Sequence, residues 1–395
     1  MKLRLAALSL APLAWGCAEE SGAPVGHVVR DSVGITVVEN AAPRWGAGEG
    51  WRLSEAPMVR IGAVEGEPEY LLLDVRSALR LDDGTIVISN SGTEEIRFFD
   101  VQGRYLRAAG GKGRGPGEFG NLIWIYALGD DSIVAWDDRP PGIAFFDREG
   151  NIGHWARPEQ PYGLLRGVFP DGSLLLAEHH DMTGLRPGLN RPPARAYRLN
   201  GRGEVVDSLP VFPGREFEYL RDWGSISFGP PPFGRRTVFA VSGDGFCAGS
   251  QDDFELGCFD PGGTLHTLVR WPARQRTVTA EHIDRYRRYQ LDNLQREGYR
   301  AQVERSLSEQ IYPEQLPAFG SIVVDGEGNL WVEEYHLDWE ETRHWLVFDA
   351  EHGMLGTVAM PGDLIVLQIG GDFVLGRTWD ELDVEYVELY ELLKP

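Results

Sequence analysis

The sequence predicts an all-β fold, a six-bladed β-propeller, on three observations. A turn followed by a short apolar strand recurs along the chain: Asp83-Gly84 before Ile86, Asp130-Asp131-Ser132 before Ile133, Asp171-Gly172 before Leu174, Asp244-Gly245 before Phe246, Asp325-Gly326-Glu327-Gly328 before Leu330, and Gly371-Asp372 before Phe373. The strand starts are separated by 47, 41, 72, 84 and 43 residues. One four-stranded blade takes about 40–50 residues, so the two long intervals require insertions. The second observation is a shared spacing. Fourteen residues separate Ile86 from Asp100, Ile133 from Asp147, and Phe246 from Asp260. Independent loops would not share one spacing, so a common hairpin of strands b and c is implied. The third is composition: 49 Gly and 25 Pro beside 12 Trp, 17 Phe and 13 Tyr in 395 residues. That mixture favours short strands and many turns.

The elements follow in chain order. Lys2 and Arg4 precede an apolar run over 5–15, a leader too short to span a bilayer core of about 30 Å. Its end, Leu13-Ala14-Trp15-Gly16-Cys17, resembles a bacterial lipobox, with Trp15 where a small residue is usual. The resemblance implies a signal peptide over 1–16 and a lipid on Cys17. Plain secretory cleavage and an uncleaved anchor are the alternatives. Residues 17–27 read as a flexible tether, and 28–395 as the propeller. The stretch 28–39 alternates, and an extra strand or hairpin is expected there. Residues 58–61 have no local partner, yet Gly66-Glu67-Pro68-Glu69-Tyr70 after them matches Gly115-Pro116-Gly117-Glu118-Phe119 after strand d of blade one. They are therefore expected to close blade six from outside, leaving no open sheet edge.

Strand c ends in Phe99-Asp100-x-x-Gly103, Phe146-Asp147-x-x-Gly150 and Phe259-Asp260-Pro261-Gly262. In blades three, five and six it ends at Asn200-Gly201, Phe348-Asp349 and Tyr390-Glu391, with spacings of 26, 19 and 18, so the excess belongs to the b–c loops. The largest insertion falls between Trp271 and Leu316, and a helical pair is expected over 279–312. Thr279 suits an N-cap, with Glu281 in the first turn. Ile283, Tyr286, Leu291 and Leu294 make one stripe, Gly298 breaks it, and Val303, Leu307 and Ile311 continue a second helix up to Pro313.

Gly113-Arg114-Gly115-Pro116-Gly117-Glu118-Phe119, with repeats ending in Phe-Phe-Asp-x-x-Gly, resembles the NHL-type six-bladed β-propellers. The whole layout is similar to bacterial six-bladed β-propeller lipoproteins. It includes Val29-Arg30-Asp31-Ser32-x-Gly34, Leu316-Pro317-Ala318-Phe319 and the stretch from Val374 to Leu382. The resemblance covers nearly all of the mature chain. It implies the fold, and an extracytoplasmic place on the outer membrane or the periplasmic side. It leaves function open, because propellers host binding modules, lyases and lactonases alike.

With 38 Lys+Arg against 60 Asp+Glu the net charge is −22, which opposes binding to phosphate backbones and excludes nucleic acid as an expected partner. In a propeller the b–c and d–a connections share one face, and nearly all of the extra length lies there. Sites collect on loops held by a rigid scaffold. The candidate ligand-binding residues on that face are Asp137, Asp138, His179, His180, Asp181, His336, Asp338, Arg377, Trp379 and Asp380. Such carboxylates and imidazoles could hold a divalent cation or act as acid and base, but no tight spacing such as His-Glu-x-x-His occurs. No cofactor is expected. Arg285, Arg287 and Arg288 form a basic patch, either a solvated face paired with local acids or a lid or docking helix for an anion. The glycine-rich 110–117 lacks Gly-Lys-Ser/Thr and reads as a structural turn. Cys247 and Cys258 flank a turn centred on Asp252-Asp253, which sets them opposite each other as a disulfide or as a buried free pair. The leading functional reading is a membrane-tethered module that binds an envelope protein, peptide or saccharide. The alternative is a propeller lyase or lactonase-like hydrolase with a metal at the channel mouth.

Overall fold

The recurring turns reverse the chain because their first side chain replaces a missing backbone bond. Asp100 Oδ1 accepts the N–H groups of Gln102 and Arg104, both at 2.9 Å. Asp147, Asn200 and Asp260 accept equivalent bonds in the next three c–d turns. The fourth position must then take left-handed backbone, which glycine adopts without steric cost. Gly103, Gly150, Gly203 and Gly263 stand there with φ of 77°, 83°, 80° and 89°. In blade four the residue is thus Gly263, one position beyond the Gly262 that the sequence pattern suggests.

The computed structural model describes residues 26–395 except 47, 130–131, 161, 181, 223–224, 244 and 295–296. The leader, Cys17, nearly all of the tether and Asp181 lie outside the described residues. Six antiparallel blades succeed one another. Blade one runs Val75–Arg80, Ile86–Asn90, Glu95–Phe99 and Tyr105–Gly110. Blade two runs Leu122–Leu128, Ser132–Asp138, Pro141–Asp147 and Ile152–Ala156. Blade three runs Leu164–Val168, Leu174–His180, Pro193–Leu199 and Val205–Ser208. Blade four runs Val238–Ser242, Gly245–Gly249, Glu255–Phe259 and Leu265–Arg270. Blade five runs Phe319–Val324, Leu330–Glu334, Thr342–Phe348 and Met354–Pro361, and blade six begins with Ile365–Ile369, Phe373–Trp379 and Glu385–Leu393.

Blade six is completed by the N-terminal part of the chain, as its unpaired last strand requires. Val59–Ile61 pairs with 387–389, and the short Arg52–Leu53 pairs with 392–393 beside it. The alternating 28–39 stretch forms a hairpin, His27–Ser32 with Ile35–Asn40. Its second strand lies parallel to Leu265–Arg270, so it extends blade four rather than the seam.

Apolar side chains of adjacent blades meet in buried clusters, one for each of the six neighbouring pairs among the described residues. Trp136, Trp331, Trp345 and Phe98 are among the largest side chains fully enclosed there. Each such burial is worth about 1.5–3 kcal/mol, so the blade interfaces carry the ring's stability. The opposite face carries tight turns. The excess length stands on the b–c and d–a face, where it includes an unpredicted hairpin, Phe217–Asp222 with Ser225–Gly229, joined by Gly188–Asn190 from the blade-three loop. Cys247 and Cys258 are register partners and are joined by a disulfide. The loop between their strands spans 250–254, longer than the two-residue turn that the spacing suggests. No helix among the described residues is long and apolar enough to cross a membrane.

Candidate functional site

The blade-five b–c loop, 335–341, is folded by its own side chains. Glu340 Oε2 accepts the Leu337 N–H at 2.9 Å, and the Glu340 carbonyl lies 2.9 Å from His336 Nε2. Leu337 is buried against Leu316 and Phe233, a cluster completed by Tyr286, Tyr312, Tyr335 and Trp339. This small apolar core fixes the helical pair above the loop.

The pair comprises α1 (Ala280–Asp292) and α2 (Arg300–Glu309). Thr279 caps α1 as its residue type suggests, with His282 completing a reciprocal box at 3.3 and 3.2 Å. The ends of the insertion are zipped together, Val278 N–H to the Glu314 carbonyl and Leu316 N–H to the Arg276 carbonyl, each at 2.9 Å. The helices therefore stand on a two-stranded stalk. The second helix ends earlier than its apolar stripe suggests, because the Ile311 N–H turns away to Glu218 Oε1 at 2.6 Å. The basic patch is not simply paired with local acids. Arg285 lies over the Trp339 ring at 5.5 Å and Arg287 over the Tyr312 ring at 5.6 Å, while Arg288 bonds the Asp284 carbonyl of its own helix.

Three cavities share the 335–341 loop as a wall. One of about 710 Å³ lies beneath Arg285 and is lined by Trp271, Tyr335, His336 and Trp339. A second of about 340 Å³ reaches inward to Arg215, Arg236, Glu333 and Arg343. The third, about 680 Å³, is bounded by Tyr289, Asp338, Trp339 and Trp379. His336 lines the first two cavities. Burial, reinforced by the Arg343 charge, lowers its basicity below the usual imidazole value. Burial, with Asp338 beside it, raises the Tyr335 hydroxyl above the ordinary phenol value.

The structure thus gathers three of the predicted residues, His336, Asp338 and Trp379, around one loop. It gives the others different surroundings. Asp137 accepts the N–H groups of Gly120, Asn121 and Arg139 at 2.9, 2.8 and 2.9 Å, bracing the blade-two turn. Asp138 lies beside it, in a separate groove of about 770 Å³ with Trp155 and Arg157. His180 meets Phe217 edge-on at 5.2 Å, with Nε2 3.9 Å from Glu178 Oε2. His179 occupies the same strand, and Asp181 lies outside the described residues. Asp380 caps its own turn. The Val384 N–H, with Tyr386 and Leu382, holds its carboxyl below the ordinary value. Arg377 stacks on Trp379 at 4.4 Å and donates to the Val75 carbonyl. Among the described residues no group of three His, Cys, Asp or Glu side chains is placed to hold a metal ion.

Sequence reasoning missed the charged network to which the lining of the inner cavity belongs, Arg215, Glu216, Arg236, Glu333 and Arg343. Glu178 pairs with Arg166 and Arg215, Glu333 with Arg343, and Glu216 with Arg235. Asp252 bridges Arg191 and Arg235 at 2.6 and 2.8 Å. The Arg235-Arg236 doublet, placed just before an apolar strand of an acidic chain, was the available signal.

No family model matches the chain, and no curated protein matches it. Among solved structures it is similar to a Bacteroides fragilis protein inferred to be exported, at 12% identity over 91% of this chain and 100% of that one, with a TM-score of 0.50. A member of the DUF4221 family from Bacteroides vulgatus is similar at 12% identity, over 88% of this chain and 99% of that one, with a TM-score of 0.54. The virginiamycin B lyase of Staphylococcus aureus superposes at 11% identity over 87% and 100%, with a TM-score of 0.43. Likeness at such identity shows the fold, a six-bladed β-propeller, and nothing finer.

Proposed function

We propose that this chain is an extracytoplasmic propeller, tethered to a membrane through a lipid on Cys17, that binds a ligand or protein partner through its loop-rich face. The observation that carries the reading is the convergence of three cavities on the 335–341 loop under α1. Concave surfaces that combine aromatic rings with a few fixed polar groups are where ligands are usually held. Trp339 and Tyr335 supply the rings, and His336, Glu340 and Arg276 the polar groups. The leader and lipobox-like segment support the location, as does the fold shared with a protein inferred to be exported.

Capture from an envelope extract tests the proposal. The full chain is compared with Trp339→Ala and with a form lacking 280–312. Partners retained by the parent and lost or weakened in both variants are expected. An unchanged set of partners in both would remove the site from consideration.

A further inference from the structure

We propose that the inner cavity binds an oxyanion, a carboxylate, phosphate or sulfate group of a small ligand, on the guanidinium of Arg236. The inference rests on the loop-rich face being the binding surface, and it names the ligand chemistry there.

The argument begins with the pairing of charges. Three guanidinium groups line this cavity, Arg215, Arg236 and Arg343, and Arg166 acts on Arg236 from beyond its wall. Three carboxylates face them, Glu216 and Glu333 in the lining and Glu178 beyond it. Each carboxylate is engaged by an arginine other than Arg236. The Arg236 main-chain N–H is bound by Gln251 Oε1 at 2.9 Å, but its guanidinium has no hydrogen bond or ion pair among the described residues. It lines the 340 Å³ cavity beside Arg215 and Arg343.

An excess positive charge there, in a protein of net charge −22, is a local inversion of sign. Guanidinium cannot relieve the strain by losing its proton. Burial, then the charges of Arg166 and Arg215, disfavour the cation at Arg236, and Glu178 and Glu333 offset this incompletely. Water can hydrate the group but cannot neutralise the field of its neighbours. An oxyanion does both, because the planar fork of donors matches carboxylate, phosphate and sulfate oxygens. Tyr335 and His336 line this cavity and the larger one beneath α1. A ligand with a charged end on Arg236 can therefore lay its body against Trp339.

The test is thermal unfolding of the purified protein against rising phosphate, sulfate or galacturonate, at constant ionic strength made up with chloride, with galactose as the neutral control. Sulfate and phosphate stabilise folded proteins generally, so the readout is the difference between parent and Arg236→Gln. A saturable rise in the parent is expected, with apparent affinity about tenfold or more weaker in Arg236→Gln, the effect of one charged hydrogen-bonded contact. Arg236→Lys should retain part of it. In chloride alone Arg236→Gln should unfold at or above the parent's midpoint, since it removes an unpaired charge. A clear drop there would mean that protein groups hold this guanidinium, and would overturn the inference. So would a response equal in parent and variant for all three anions. The arms separate the ligand sources, because galacturonate alone points to a sugar carboxylate and phosphate alone to a phosphoryl group. Failure here with partner capture still dependent on Trp339 would leave the proposed function standing. Saturable anion binding with capture unaffected by Trp339→Ala would remove that function and keep the Arg236 site.

Discussion

The carboxylate of Glu385, on the last strand of the chain, accepts the backbone N–H of Val75, 310 residues earlier, at 2.9 Å. Arg377, on the neighbouring strand of blade six, donates to the Val75 carbonyl and lies 3.4 Å from Glu385 Oε1. Both main-chain groups of the first residue in blade one are thus held by side chains of blade six. The same device recurs at other boundaries. Glu94 Oε2 accepts the Leu122 N–H at 2.6 Å and Ser91 donates to the Leu122 carbonyl, while Gln251 donates to the carbonyls of Phe319 and Gly320, both at 2.9 Å. An inner strand begins with groups that its own sheet cannot satisfy, and the preceding blade supplies the partners.

Removing the seam carboxylate should therefore weaken the whole ring. Glu385→Ala leaves the Val75 N–H and the Arg377 guanidinium without their partner in a mostly buried place, and a loss of about 3 kcal/mol is expected. Glu385→Gln keeps an acceptor and should lose less. Denaturant midpoints of the purified variants measure this. A loss below about 1 kcal/mol for Glu385→Ala would show that the ring closes on apolar packing alone.

Asp137 looks from its sequence position like a ligand-binding acid, but its carboxylate is already occupied by three main-chain donors. Asp137→Ala should cost about 2 kcal/mol by orphaning them, with Asp137→Asn intermediate. Binding at the 335–341 loop should be unchanged once the folded fraction is accounted for. The same turn should reject Gly120→Ala, whose new methyl carbon would stand 1.7 Å from the Arg139 carbonyl oxygen. Thermal midpoints together with partner capture would separate this bracing role from a binding role.

His336 sets a pH dependence whose sign follows from its surroundings. The bond from Nε2 to the Glu340 carbonyl requires a hydrogen on Nε2, so a proton would have to add at Nδ1, which is buried without a hydrogen-bond partner. Burial and the Arg343 charge place its folded value below the ordinary 6.5. The unfolded chain then binds more protons in that window. Stability is complete above pH 6.5 and falls as pH drops through the lowered value. His336→Gln should flatten that part of the stability profile. His352, lowered first by burial and then by His266, should preserve the remainder. Superimposable profiles for parent and His336→Gln would contradict this assignment.

Much of the ring was legible because each blade solves the same local problem in the same way. The Asp100, Asp147 and Asp260 turns repeat one hydrogen-bond pattern, and a repeated local cause leaves a repeated local signature. The seam was legible for a related reason, since the 58–61 strand carries the neighbour sequence of an outer strand. The inner cavity left no such trace. Arg166 and Arg343 belong to blades three and five, and Arg215 and Arg236 to the d–a connection between blades three and four, so their proximity depends on how long loops pack. Asp137 and Asp380 misled for the opposite reason. An acid in a turn on the loop-rich face serves equally well as a main-chain cap, and nothing in its residue type distinguishes the two uses.

The helical pair should open independently of the ring. No residue of α1 is buried, and Leu307 is the buried residue of α2. The pair is held by the stalk and by rings that meet at Phe233, 5.6 Å from Tyr286, 6.2 Å from Tyr312 and 6.5 Å from Trp339. So little burial places its opening free energy well below that of the blades, which each bury a continuous apolar interface. Tyr286→Ala removes the ring that joins α1 to this cluster. Losing this half-buried ring costs about 1 kcal/mol of burial and about 1 kcal/mol of ring pairing, which should speed amide exchange in α1 by a factor of about 30. The midpoint of the ring should barely move. Arg288→Ala is the control, because its side chain bonds within its own helix. If parent α1 amides exchange as slowly as those of Ile86–Asn90, the helices belong to the cooperative unit of the ring, and a roof that opens for ligand entry is ruled out.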